Sequence, residues 1–163
     1  MELSATAAAV FLIAALPISG FVIFSDLARM KIPNLAVGAL LLSYAVLGLF
    51  VLPFEQYLWH WSHFIVLLIV GIFLNAGGVM GAGDAKYIAA AGPMISTADV
   101  RLLIPLFAAA LLGGFAAHRL ARVSPVRKAV PHWESWEAGR RFPMGFPLGM
   151  TLVGYLIIVA FLR

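Results

Sequence analysis

Asp84 lies in Gly81-Ala82-Gly83-Asp84-Ala85-Lys86, beside apolar runs of membrane-crossing length. The 163 residues include only seven acidic side chains. A carboxylate at the edge of hydrocarbon costs several kcal/mol unless water or a partner solvates it, so such a residue points to function. Asp26 is its natural companion, because it too follows a long apolar run. Two carboxylates within hydrogen-bonding range cannot both ionise cheaply; they share a proton and titrate as a unit. The ionised member can deprotonate a water while the protonated member polarises a carbonyl, which is hydrolytic chemistry that needs neither metal nor cofactor. Gly81 and Gly83, without side chains, let the backbone bend beside Asp84 and let an extended substrate come close.

Plainer roles exist for the same residues. Asp26 can pair with Arg29 one turn on, and Asp84 can cap a helix while Lys86 anchors it at the membrane surface. Gly77, Gly78, Gly81 and Gly83 can serve helix packing, and Asn75 is expected to hydrogen-bond between helices. His60 and His63 stand between tryptophans near Glu55, and an interfacial role is expected for them rather than a metal site. Trp133 and Trp136, among basic residues, are expected to lie on the membrane surface. A docking role toward a substrate is open for them as well.

The elements that must hold these residues are membrane helices. The chain is 63% hydrophobic and 11% charged, with a mean hydropathy of +1.02, which excludes an ordinary soluble domain. A pI near 9.9 here reflects basic helix anchors, and no nucleic-acid partner is expected. The absence of cysteine removes disulfides, thiolate zinc sites and a thiol nucleophile. No basic stretch precedes the first apolar run, so a retained helix is expected there rather than a cleaved signal. Helices are expected over 5–24, 35–52, 64–83, 102–117 and 144–162, with a short fourth helix, ending near Ser96, that includes the Gly-Asp turn. The stretch 53–63, with Trp59 and Trp61, reads as headgroup-level. The fold class is therefore an all-α polytopic membrane protein of six transmembrane helices, one membrane-embedded domain over 1–163. A basic loop over 118–142 joins the last two helices.

Nine of the eleven Lys and Arg fall in the connections after the first, third and fifth helices. Positive connections stay in the cytoplasm, so both termini are expected on the non-cytoplasmic side and both aspartates on the cytoplasmic face. The aspartates were singled out for their chemistry and the topology comes from cations, yet the two agree.

Asp26 with Arg29 and Ile32-Pro33-Asn34, taken with Gly81-x-Gly83-Asp84-x-Lys86, resembles the paired signatures of the type IV prepilin peptidases, membrane aspartyl proteases of the GxGD class. The likeness covers nearly the whole chain and is nearest to the short Flp/Tad-type form, which lacks the cysteine-bearing insertion that goes with N-methylation. It implies catalysis by Asp26 and Asp84 on the short basic leader of a prepilin or pseudopilin, just ahead of the substrate's apolar helix, in a bacterial inner membrane. The family's late Pro-x-Gly motif corresponds to Pro143-Met144-Gly145, with Met144 in place of an aromatic residue. Two other functions stay open to such a chain. One is a proton-coupled carrier, and the other is a non-catalytic assembly factor of a pilus or secretion machine.

Overall fold

The computed structural model describes residues 2–139 and 141–163; Arg140, counted above among the basic residues, lies outside them. Among the described residues every regular element is helical: α1 (Ala5–Arg29), α2 (Asn34–Val51), α3 (Phe54–Ala76), α4 (Ala82–Ala91), α5 (Val100–Val123), α6 (Val126–Ala129) and α7 (Gly145–Phe161). Four segments are long and apolar enough to cross a membrane: Ala5–Arg29, Asn34–Val51, Phe54–Ala76 and Thr97–Val123. Of the six spans expected, the other two are shorter, α7 with 17 residues and α4 with 10. At 1.5 Å per residue α4 covers about 15 Å, half a bilayer's hydrocarbon.

The helix boundaries differ from expectation for local reasons. Nothing in Ser25-Asp26-Leu27-Ala28-Arg29 breaks a helix, so α1 runs past Phe24 and carries Asp26 within it. Met30 ends it in the left-handed conformation, φ 52°, its N–H on the Asp26 carbonyl. Pro53 caps α3 rather than opening an irregular segment, so 54–63 is helix and presents Gln56, Tyr57 and His60 inward. His60 is thus buried rather than interfacial, with Nδ1 at 2.8 Å from the Pro93 carbonyl and its ring stacked on His63. Asn75 does not bridge helices; its amide donates to the Met80 carbonyl and closes the turn to α4, where Gly78 adopts φ 71°.

The core is built on α1 against α7. Ala8, Phe11, Ala15, Ser19, Val22 and Asp26 recur at intervals of three and four residues and form the buried stripe of α1. Leu148, Leu152, Tyr155 and Val159 face it from α7. The two backbones approach closely at Gly149, where a Cβ would stand 2.9 Å from Ile23. α4 lies inside the bundle with Ala85, Ala89, Ala90 and Ala91 buried, and Gly71 of α3 leaves room for Ala85. In lipid there is no hydrophobic force between helices, so such small-residue contacts and interhelical hydrogen bonds, each worth about 0.6 kcal/mol, hold the bundle. One of them, 2.8 Å between Ser19 Oγ and Tyr87 Oη, ties α1 to α4. Both termini meet at the end away from Asp26, where Arg163 pairs with Glu2 and with the buried Asp99.

Candidate active site

The periodicity of α1 brings Asp26 into the bundle, and the start of α4 brings Asp84 to the same end. Asp26 is 5% exposed, and its Oδ2 accepts the Gly145 N–H at 2.6 Å. Gly145 is the first residue of α7, so an amide at a helix N-terminus faces the carboxylate. A Cβ on Gly145 would lie 2.9 Å from the Asp26 Cβ and 3.0 Å from Oδ2, so only glycine leaves the carboxylate this place. Asp84 occupies the first turn of α4, outside the four membrane-length helices. Burial, and then the charge of Asp26, raise its carboxyl from an ordinary 3.8 to about 6, against a smaller opposing pull from the Gly81 amide. Asp26 is therefore close enough for its charge to act on Asp84.

The sequence motifs meet residue by residue. A Cβ on Gly81 would be 2.7 Å from Asp84 Oδ2, and one on Gly83 would be 3.2 Å from the Ile32 Cβ. Lys86 Nζ donates to Asn34 Oδ1 at 3.1 Å, and Ser25 Oγ donates to the Lys31 carbonyl at 3.0 Å. The turn after α1 is thus stitched to the start of α4, with Pro33 capping α2 between them. Pro143 is buried just ahead of α7. Arg29 is exposed, and among the described residues the ion pairs are those of Arg163, so Asp26 is not neutralised by Arg29.

The segment between α5 and α7 also builds the site, contrary to its expected place on the membrane surface. Trp136 is 2% exposed, donates Nε1–H to the Val130 carbonyl at 2.8 Å, and lies between the rings of His118 and Trp133. Trp133 meets Phe24, two residues before Asp26, edge to face. His118 also meets Phe142, and the Phe142 and Phe146 rings occupy the space beside Gly114 of α5. This aromatic cluster therefore grips α1 on one side and the chain leading into Gly145 on the other. Sequence reasoning missed it, although Phe142-Pro143-Met144-Gly145-Phe146-Pro147, rigid and aromatic, was the available signal. The arrangement can hold a proton on one carboxyl while the other accepts a hydrogen bond, and among the described residues neither carboxyl forms an ion pair. Among the described residues no group of His, Asp and Glu is placed to hold a metal ion.

Residues 11–118 match the type IV leader peptidase family, a stretch that includes both aspartates and both motifs but stops before Gly145. No curated protein and no solved structure matches the chain. With most of its length in that match, the chain belongs to the type IV leader peptidase family.

Proposed function

We propose that the chain is a membrane aspartyl endopeptidase that removes the short basic leader of type IV prepilins or pseudopilins by a water activated between Asp26 and Asp84. The observation that carries this is the convergence of the two carboxylates at one end of the bundle, where burial, and then the charge of Asp26, raise Asp84 to about 6. Asp26, facing the Gly145 amide at the N-terminus of α7, is the base. Asp84, with its raised affinity for a proton, is the acid. Asp26 takes a proton from water, the resulting hydroxide attacks the scissile carbonyl carbon, and Asp84 donates its proton to the carbonyl oxygen. On collapse Asp26 returns its proton to the departing nitrogen and Asp84 recovers one from a hydroxyl of the intermediate. The C–N bond breaks, leaving an acid, an amine and the starting dyad.

In the sequence, nine of the eleven Lys and Arg follow the first, third and fifth apolar runs, as both aspartates do, which supports a cytoplasmic site in a bacterial inner membrane with both termini outside. In that arrangement α4 with its following turn, and α7, are the two short members of a six-helix set. The protein's partners are the bilayer and the prepilin, and the chemistry needs no cofactor. The test is cleavage of a leader-bearing prepilin in liposomes by the wild type, Asp26→Asn and Asp84→Asn. Each variant should insert normally and lose about 10²- to 10⁴-fold in rate. Normal processing by either would remove that residue from the mechanism.

A further inference from the structure

A groove of about 760 Å³ lies between α3 and α5, floored by α4 and α7. Its inner end is formed by Tyr87 and Leu148. Tyr87 is three residues after Asp84 on α4, and Leu148 is three residues after Gly145 on α7, so each lies about 4.5 Å along the axis from the residue that builds the site. From there the floor follows Ile88 and Ala91 to the end of α4, and then the turn that carries Ile95 and Thr97. Ile88, Ala91 and Ile95 make it apolar, with a small residue against which another backbone can pack closely. The wall residues Val66 of α3 and Ile104 of α5 are 56% and 64% exposed, so the groove opens sideways toward lipid.

We infer that this groove seats the apolar segment of the substrate, which enters from the bilayer beside α5 and runs along α4 away from the aspartates. The inference rests on the leader-peptidase reading of the site. A leader cut at the membrane face is followed by a segment that cannot leave hydrocarbon without a cost of several kcal/mol, so its first turns must lie beside whatever holds the scissile bond. The helices presenting Asp84 and the Gly145 amide lead directly into the groove, and it opens where a membrane-bound segment can arrive. A lipid chain has no such requirement for register with the aspartates.

The test places a photoreactive benzoylphenylalanine at Ile104 in an Asp84→Asn chain. It uses liposomes containing a probe made of a Lys/Arg-rich leader joined to an apolar helix of about 20 residues. A probe adduct from Ile104, and none from the same group at Val46 on the exposed face of α2, is the expected result. Lipid adducts alone at Ile104 would overturn the inference. Ile104→Trp, which narrows the mouth at an exposed position, should raise KM for the same probe at least fivefold with kcat within twofold; an unchanged KM also overturns it. Cleavage of the probe by the wild type, measured alongside, reports on the peptidase reading separately, because adduct formation requires no catalysis.

Discussion

Gly145→Ala isolates one contact of the site. The added Cβ meets Asp26 at 2.9 Å from Cβ, 3.0 Å from Oδ2 and 3.2 Å from Cγ, distances at which something must shift. The nearest clash is with the Asp26 Cβ, which side-chain rotation does not move, so α1 and the start of α7 must part by a few tenths of an ångström. That separation lengthens or breaks the 2.6 Å bond from the Gly145 N–H. A hydrogen bond to a charged group is worth about 1.5–3 kcal/mol, and at 1.36 kcal/mol per decade its loss from the transition state predicts a fall in kcat of about 10- to 150-fold. Overpacking costs about 1–3 kcal/mol, offset in part by the roughly 0.5–1 kcal/mol that alanine gains over glycine in a helix, so a modest loss of stability is expected beside the larger loss of rate. The assay is the initial rate of leader removal in liposomes, with thermal unfolding in detergent measured in parallel. Gly154→Ala is the control: its Cβ would reach only Leu106, at an ordinary 3.5 Å. Cleavage by Gly145→Ala within twofold of wild type would refute the assignment of that amide to Asp26.

Asp84 supplies a pH dependence. Its proton is held up to about pH 6 in the free enzyme, so the competent form is present below that value and is lost as pH rises through it. kcat/KM should fall about tenfold per unit above pH 6, while a bound substrate that excludes water should move the same limb of kcat to higher pH. A flat kcat/KM from pH 5 to 8 would refute Asp84 as the acid. Trp136→Ala removes a fully buried indole and its bond to the Val130 carbonyl, and should destabilise by about 3–5 kcal/mol, read as a lowered unfolding midpoint. Trp136→Phe keeps the stack on His118 and should lose less than half as much; equal losses would mean that the ring stack contributes nothing.

Much of the site was visible in the order of residues, and what escaped has a physical cause. The stripe Phe11, Ala15, Ser19, Val22 and Asp26 has its periodicity written locally, so the inward direction of Asp26 follows once α1 is allowed to continue to Arg29. Its end was misplaced because Pro33 and Asn34 mark where α2 begins without marking where α1 stops. The contact between Gly83 and Ile32 joins the two motifs and was implied by their pairing, though not its cause, which is the absence of a side chain at Gly83. Gly145 lies 119 residues from Asp26, and no local pattern announces that its amide finds that carboxylate. Tryptophans near cations look the same in sequence whether they lie among headgroups or pack inside. For Trp133 and Trp136 the choice was made by Phe24 and His118, on helices that composition alone cannot bring together.

The half-length of α4 connects the site with the groove. A helix about 15 Å long, with Ala85, Tyr87, Ala89, Ala90 and Ala91 buried and Ala82 and Lys86 exposed, starts at the end of the bundle and runs into it. Asp84 in its first turn is then shielded enough for its carboxyl to rise to about 6, yet lies at the end of the molecule where water reaches the motif residues Gly81 and Lys86, both exposed. The 3₁₀ turn Gly92–Met94, held by His60 on the Pro93 carbonyl, ends the helix before it can fill the space between α3 and α5. A helix continued through that turn would enter this space. Lengthening α4 across Gly92–Met94 should therefore close the groove, read as loss of the probe adduct at Ile104.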